Sequence, residues 1–274
     1  MEWVSLPSNR NDNRVGVREL SEQYHIRCKE GDVGRYVLLP GDPGRATMIA
    51  QHFDQPRLVA QNREYTTYTG LLDGAPVSVT STGIGCPSTA IAVEELCAIG
   101  ADTLIRVGTC GAMQNFLRNG DLVVAQAAVR DEGTSAQYIP LSYPAMAHLD
   151  AIHALQAGAR EAGARAYTGI VRSGDALYVD LAPQSIPLQA LTGGNAARMW
   201  SEARVLCADM ESSTLFVVGT IRGLRTGTVL LVVNAIGDSE ITQQQGTGNA
   251  LDPLIRTAIA SLRALIRADA ANQG

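Results

Sequence analysis

Short apolar runs of β type alternate with segments of helical periodicity from Arg35 onward. Runs rich in Val, Leu, Ile, Thr and Tyr between turn residues predict strands, and apolar residues recurring every three or four positions predict helices. The predicted strands are 36–40, 57–60, 65–72, 76–82, 103–107, 121–127, 167–173 and 226–234. The predicted helices are 44–53, 87–99, 145–163, 209–223 and 250–268. This alternation favours one α/β domain whose mostly central sheet is covered by helices.

Local signals mark a turn, a helix start and a boundary. Leu72-Asp73-Gly74-Ala75 is typical of a hairpin turn between two strands. Pro87-Ser88 favours the start of a helix. Residues 1–22 are polar and irregular, so we expect an N-terminal arm that is flexible or lies on a partner. The remaining residues, 23–274, are predicted to form the single domain.

Composition narrows the classes of function. Of the 274 residues, 46% are apolar and 18% charged, which is typical of a globular protein with an ample core. A net charge of -5 without a long basic run argues against general nucleic-acid binding. No apolar stretch reaches membrane-spanning length, and the N-terminus has no signal-peptide pattern. The cysteines show no CxxC spacing, so we expect reduced thiols in a cytoplasmic, metal-independent protein.

Two glycine-rich segments, each with an arginine, carry the strongest chemical signal. Gly41-Asp42-Pro43-Gly44-Arg45 follows one predicted strand, and Arg106-Val107-Gly108-Thr109-Cys110-Gly111 begins at the end of another. Both are expected as turns at the carboxyl ends of strands, where open α/β sheets bind ligands. Glycine lets backbone amides approach an anion, and arginine adds a charged fork that suits phosphate oxygens. Together they predict an enzyme that handles phosphate or a similar anion, although the first segment alone is more typical of a plain strand-to-helix turn.

Two further segments allow a structural and a functional interpretation. Thr82-Gly83-Ile84-Gly85, before the helix at Pro87, either packs a strand closely on that helix or brings helix amides to a ligand. The chain has neither GxGxxG nor Walker spacing, so dinucleotide or nucleoside triphosphate binding has weak support. Asp209-Met210-Glu211-Ser212-Ser213 either caps an apolar helix or binds a sugar. In the second case Met packs on the ring and the two Glu oxygens accept hydrogen bonds from vicinal hydroxyls.

In order and spacing, these segments resemble the nucleoside phosphorylase family that includes uridine phosphorylases and hexameric purine nucleoside phosphorylases. The resemblance covers roughly residues 24–268. Its pieces are YHIRCKEGDVGRYVLLPGDPGR, NREYTTYTGLLDG, STGIGCPSTAIAVEEL, RVGTCGAM and ADMESSTLF. It is closest to uridine phosphorylases in STGIGCPSTAIAVEEL and GLRTGTVLLVVN. The resemblance implies a three-layer α/β/α fold with a central mixed, partly barrel-like sheet.

The resemblance also implies reversible phosphorolysis of a nucleoside to a free base and ribose 1-phosphate, with inorganic phosphate as co-substrate and no cofactor. The residues implied to bind phosphate are Gly41, Arg45, Arg106, Thr109 and, from a neighbouring subunit, Arg63. Those implied to bind ribose are Met210, Glu211 on the 2′- and 3′-hydroxyls and, again from a neighbour, His25 on the 5′-hydroxyl. A homodimer would therefore be the smallest active unit, and the family usually builds hexamers from three dimers.

Charge development explains such a reaction. Cleavage of the C–N bond leaves positive charge on the ribose and negative charge on the departing base. Phosphate below the sugar acts as nucleophile and stabilises the cation, while arginines and amides hold it in line. Arg106 and Glu211 are the catalytic residues that the resemblance implies.

Base recognition is where the chain departs from the family. Uridine phosphorylases typically read uracil with a Gln-x-Arg element after Phe-Tyr-Pro-Gly and with an arginine that follows an asparagine. Here Leu181 and Pro183 stand where the Gln and the Arg of that element are expected, and Ala235 follows Asn234 where the other arginine would be. Gln184 would substitute only in a shifted loop. Losing such hydrogen bonds weakens discrimination strongly. The predicted base pocket consists of Cys110, Gly111, Leu177, Tyr178 and Asn234.

Other activities stay open at this point. Purine enzymes of the family use an Asp where Asn234 stands; Asn cannot act as the acid but can bind a 6-oxopurine, and Asp238 could act as the catalytic acid from a differently bent loop. Ser173-Gly174-Asp175-Ala176 resembles an element of related nucleosidases, which use water, but Arg45 argues against hydrolysis. A non-catalytic nucleoside-binding protein is the last alternative, and the intact arginines and Glu211 argue against it. Uridine phosphorolysis is the leading hypothesis.

Overall fold

The structure is a computed structural model that describes residues 22–181, 196–236 and 248–272. Residues 1–21 of the predicted arm lie outside the described residues, so the domain boundary stays a prediction. The strands are β1 (Tyr36–Leu39), β2 (Asp54–Asn62), β3 (Tyr65–Leu72), β4 (Ala75–Thr80), β5 (Thr103–Ala112), β6 (Leu122–Asp131), β7 (Ala145–Met146), β8 (Ala166–Gly174), β9 (Cys207–Asp209) and β10 (Arg225–Asn234). The helices are α1 (Pro43–Ala50), α2 (Cys86–Ala98), α3 (Ser135–Tyr138), α4 (Leu149–Glu161), α5 (Leu177–Leu181), α6 (Ala196–Glu202), α7 (Ser212–Ile221) and α8 (Asp252–Ala271).

The described strands form one mixed sheet, part of which closes on itself. β10 pairs with β5 in parallel and with β6 antiparallel, β6 continues to β8, and β9 joins β8 back to β5. β1, β4, β3 and β2 extend from β5 as an open arm. The predicted mixed, partly barrel-like sheet is confirmed.

Helices cover both faces of this sheet, as the three-layer prediction requires. One core cluster includes Val93 and Leu96 of α2 with Leu215 and Phe216 of α7. The other joins residues of α1, α4 and α8, such as Leu155, to the opposite face of the sheet. Among the described helices, none combines the length and apolar character needed to cross a membrane.

Local turn chemistry produces two of the connections as predicted. Asp73 and Gly74 both have positive φ, 49° and 79°, which the tight turn between β3 and β4 requires. α1 begins directly after Gly41-Asp42: the Asp42 carboxylate accepts a hydrogen bond from the Arg45 amide at 3.0 Å, and Pro43 occupies the first turn. The glycine-rich segment after β1 is therefore a capped strand-to-helix turn.

Three of the sequence predictions about individual elements are wrong. The segment 106–111 is not a turn, because β5 continues to Ala112 through pairing with β10 and then β9. The helix predicted over 145–163 begins only at Leu149, since Ala145–Met146 pairs with β6. The helix predicted over 209–223 begins at Ser212, since Asp209 ends β9.

Candidate active site

The two arginine-bearing segments meet where β1 ends beside β5. Leu39, the last residue of β1, pairs with Arg106. From the first turn of α1, Arg45 reaches the same strand, and its Nη1 donates to the Val107 carbonyl at 3.1 Å. Gly41 lies between the end of β1 and the start of α1, and its carbonyl accepts a hydrogen bond from the Gly83 amide at 3.0 Å. The structure thus brings together Gly41, Arg45 and Arg106, with the half-buried Thr109 three residues further along β5.

Arg45 is a buried cation that forms no direct ion pair with a carboxylate among the described residues, although Asp42 and Glu211 lie near enough to raise its pKa somewhat. Its residue surface is 8% exposed, and Nε is buried without a hydrogen-bond partner among the described residues. Burial, together with the nearby charge of Arg106, lowers the pKa of Arg45 to about 10, so the side chain is still a cation at neutral pH. Because an unpaired buried charge is unfavourable, this position is complementary to an anion.

Arg106, in contrast, is neutralised by two carboxylates. Its Nε donates to Asp209 at 2.9 Å, and its Nη2 forms an ion pair with Glu211. Burial alone would lower the pKa of Arg106, but Glu211 and Asp209 outweigh it and hold that pKa above its ordinary value. Arg106 is therefore a permanent cation whose fork is fixed in place.

Glu211 is held between this arginine and the glycine-rich segment before α2. One carboxylate oxygen accepts the Gly85 amide at 2.8 Å, and the other accepts the Met210 amide at 3.1 Å. Glu211 is buried, and the adjacent Met210 is half-buried. The segment 82–85 therefore does bring a backbone amide into the site. That amide, from Gly85, donates to the Glu211 side chain of the protein itself.

Asp209 joins the site to the start of α7; the sequence predicted a capping role for its segment but not its contact with Arg106. Its carboxylate accepts hydrogen bonds from the Ser212 amide at 3.1 Å and the Ser173 hydroxyl at 2.6 Å, besides that from Arg106. Asp209 therefore caps α7 and orients an arginine at once. The capping interpretation of the segment 209–213 therefore applies to Asp209, while the sugar-binding interpretation stays a prediction for Glu211.

His25 and Arg63 lie together on a surface of the chain. Asn62, beside Arg63, donates to the His25 carbonyl at 2.7 Å. Arg63 is exposed in the turn between β2 and β3 with a φ of 54°. The left-handed region is uncommon for a residue other than glycine, and such strain concentrates at functional sites. Their contribution to a neighbour's site stays a prediction.

The predicted base pocket is partly assembled. Asn234, near the end of β10, pairs with Gly111, next to the buried Cys110. Leu177 and Tyr178 on α5 are 45% and 74% exposed. Among the described residues, no strand pairing or hydrogen bond joins these two side chains to Asn234, Gly111 or Cys110. Three further positions, Pro183, Gln184 and Asp238, lie outside the described residues.

Residues 35–267 match the family model of the Phosphorylase superfamily. The chain belongs to this superfamily. The uridine phosphorylase of Treponema pallidum (strain Nichols) is 46% identical over 253 residues, covering 90% of this chain and 95% of the relative. The guanosine phosphorylase of Halorubrum lacusprofundi is 39% identical over 213 residues, covering 78% and 83%. A crystal structure of the uridine phosphorylase from Vibrio fischeri ES114 matches with a TM-score of 0.79 at 36% identity, covering 90% and 97%.

These comparisons confirm the predicted family and, with it, the predicted enzyme class of nucleoside phosphorylases. They leave the roles of individual side chains as predictions. The geometry adds residues that sequence reasoning missed, because their importance depends on contacts between distant segments.

Glu132 is one of these residues. It is buried after β6 and accepts hydrogen bonds from the Ser213 hydroxyl at 3.0 Å and the Thr134 amide at 2.7 Å. Burial would raise the pKa of this carboxyl, but hydrogen bonds, chiefly from Ser135, outweigh burial and lower it. Glu132 thus supports α7 from behind the site, and only its position after a β-type run signalled it.

Gly108 is the second. A Cβ built on it would lie 2.7 Å from Cζ of Arg106 and 2.7 Å from a methyl carbon of Leu230. The absence of a side chain lets the Arg106 guanidinium fold back over its own strand. Sequence analysis singled out the segment that contains Gly108 but predicted a turn there, whereas the glycine lies within β5.

Proposed function

We propose that this protein catalyses the reversible phosphorolysis of uridine, giving uracil and ribose 1-phosphate. The observation that carries the proposal is the buried Arg45, whose charge has no carboxylate partner among the described residues, beside an Arg106 that has two. A phosphate dianion at this position supplies the missing charge. Phosphate is thus the co-substrate, and we propose no further cofactor.

The proposed chemistry follows from these charges. Arg45 and the amides near Gly41 hold phosphate, and Arg106 adds a second, rigidly oriented cation. A phosphate oxygen forms the bond to C1′ of the ribose while the electron pair of the C1′–N bond leaves with the base. Glu211, held in place by its ion pair with Arg106, accepts hydrogen bonds from the 2′- and 3′-hydroxyls and so fixes the sugar above the nucleophile.

Uridine is the proposed substrate because two of the matched proteins are uridine phosphorylases, one of them 46% identical to this chain. Guanosine is the second candidate. The relative from Halorubrum lacusprofundi is a guanosine phosphorylase, and the Asn234 amide beside Gly111 can hydrogen-bond a 6-oxopurine.

We further propose that the active unit is a homodimer, or a hexamer of three dimers, in which each subunit lends Arg63 and His25 to its neighbour. The support is their shared surface and the strained backbone of Arg63. An isolated chain would then lack one of its phosphate-binding cations.

The test is an assay of uridine, thymidine, inosine, guanosine and adenosine, each with and without phosphate, that follows release of free base. Phosphate-dependent cleavage of uridine is the expected result. A preference for guanosine or inosine would move the protein to the purine branch. Cleavage at equal rate without phosphate would make it a nucleosidase, and no cleavage of any nucleoside would contradict the proposal.

A further inference from the structure

Glu95, on α2, holds the first described segment of the chain through its backbone and its histidine. One carboxylate oxygen lies 2.6 Å from Nδ1 of His25, and the other accepts the Ile26 amide at 2.8 Å. Both oxygens lie within 3.1 Å of the His25 amide. The Glu95 side chain is only 12% exposed, so this contact is well shielded from water.

These contacts fix the chemical state of the imidazole as well as its position. A carboxylate only accepts hydrogen bonds, so Nδ1 of His25 must carry the hydrogen. In a neutral ring the other nitrogen, Nε2, is then an acceptor that faces away from Glu95. Among the described residues, none forms a hydrogen bond with Nε2. The rings of Tyr24 and Tyr65 stand edge-on to His25 at 4.8 and 6.4 Å and limit its rotation.

We infer that Glu95 is a positioning residue for the reaction: by holding Nδ1–H of His25, it presents Nε2 as an acceptor for the 5′-hydroxyl of a ribose bound in the neighbouring subunit. The inference rests on the proposed function. Glu95 lies 70 positions from His25 in the sequence and acts only through it. A hydroxyl is a donor, so the fixed tautomer matches it, whereas the opposite tautomer would place two donors face to face.

Glu95→Gln tests this inference with two substrates, uridine and 5′-deoxyuridine, which lacks the hydroxyl in question. The glutamine keeps one oxygen for the backbone amides but turns a donor toward Nδ1 in one of its two orientations. We expect kcat/KM for uridine to fall about tenfold. The value for 5′-deoxyuridine should stay at the wild-type level. The ratio of the two does not depend on the active fraction, so partial misfolding does not affect it.

Two further variants separate positioning from a structural role. Adding Glu95→Gln to His25→Ala should lower the ratio no further than His25→Ala alone, since the residues act in series. Glu94→Gln is the matched control: its carboxylate is one residue away but pairs with Arg222 at 2.7 Å, so its ratio should equal that of the wild type.

A Glu95→Gln variant whose ratio of kcat/KM values equals that of the wild type would overturn the inference, whether both activities fall equally or neither falls. If that variant does not fold, Glu95→Asp, which keeps the charge but retreats by one methylene, must lower the ratio in its place. Wild-type protein that cleaves neither substrate in phosphate would instead show that the proposed function is wrong, and the inference would fall with it.

Discussion

Arg45 and Arg106 carry the same functional group in the same site, yet their surroundings treat the two charges differently. Asp209 and Glu211 compensate Arg106 fully, and this fixes its orientation before any ligand arrives. Among the described residues, Arg45 has only a hydrogen bond of 3.1 Å from its Nη1 to the Val107 carbonyl, and its buried Nε has no hydrogen-bond partner. The first arginine is thus preorganised at little electrostatic cost, while the second stores an unfavourable charge that an anion relieves.

Replacing Arg45 with methionine should therefore separate stability from activity. We expect the phosphate KM to rise at least about tenfold, because a charge-assisted contact is lost. The melting temperature without phosphate should rise, since a buried unpaired cation gives way to an apolar side chain. Phosphate-dependence kinetics and thermal unfolding measure the two effects. Arg256→Met, which breaks an exposed pair with Asp252 on α8 and a hydrogen bond to the Ala162 carbonyl, should leave the phosphate KM unchanged. An unchanged KM in Arg45→Met would refute the assignment.

Gly108→Ala should disturb the orientation of Arg106. The added methyl group occupies the space of the guanidinium, and misplacing a reacting group by about 1 Å can reduce the rate about a hundredfold. We expect a loss of that order in kcat/KM for phosphate in steady-state assays.

The control for Gly108→Ala is Gly227→Ala, where a Cβ would lie 2.8 Å from that of Ala151 on α4. Overpacking there should lower the melting temperature and leave the kinetic constants of the folded enzyme intact. If both variants lose activity equally, crowding in general is responsible, not the displacement of Arg106.

At the scale of the element, α7 shows how a helix start can be held by acids that lie outside it. Asp209, at the end of β9, accepts the Ser212 amide, and Glu132, after β6, accepts the Ser213 hydroxyl. The negative charge of both acids lies near the N-terminus of α7, where it interacts favourably with the positive end of the helix dipole. Since Met210 and Glu211 lie between β9 and α7, the two acids also fix the segment that is proposed to bind ribose.

The support from Glu132 should depend on pH in a defined direction. Its pKa in the folded protein is below the ordinary value of 4.5, so its contribution to the free energy of unfolding is complete above that pH. The contribution is lost as the pH falls through the folded-state pKa. Glu132→Gln should therefore be less stable than the wild type at pH 7, and the difference should shrink as the pH is lowered from about 5 to about 3.

Urea denaturation at several pH values measures this difference. Glu161→Gln, at an exposed position on α4, should differ little from the wild type throughout. A difference for Glu132→Gln that stays constant between pH 7 and pH 3 would contradict the stated role of its charge.

The elements that sequence reasoning predicted are those whose causes are local. The Asp73-Gly74 turn and the Asp42 cap of α1 depend on a few neighbouring residues, so the pattern contains the answer. The extension of β5 and the strand at Ala145–Met146 depend on pairing with distant segments, and the pattern alone suggested a turn and a helix. For the same reason the arginines of the site were predictable, whereas their partners were not.

At the scale of the whole molecule, complementation tests whether sites are shared between subunits. Arg63→Ala and Arg106→Ala should each be nearly inactive alone. After co-refolding in equal amounts, a mixed dimer contains one site with Arg106 of one subunit and Arg63 of the other. Random assembly should then restore activity in about a quarter of the sites.

The control is a mixture of Arg106→Ala with Arg45→Ala, two changes in the same subunit's share of the site. In that mixture no site is intact, and activity should not return. Failure of the first mixture to regain activity, with dimers present by light scattering, would exclude sharing of Arg63.

The closed part of the sheet, a ring of β10, β6, β8, β9 and β5, limits where a strand of another molecule could add to the sheet. The strands of the ring pair on both sides, so β2 is the long strand of the described sheet with an unpaired side. It carries Pro56, a positive φ at Gln55 and two register irregularities against β3. Proline and irregular register discourage a foreign strand from adding to an edge and so protect against aggregation. The proposed dimer would therefore form through side chains such as Arg63 at the end of β2, and not by extension of the sheet.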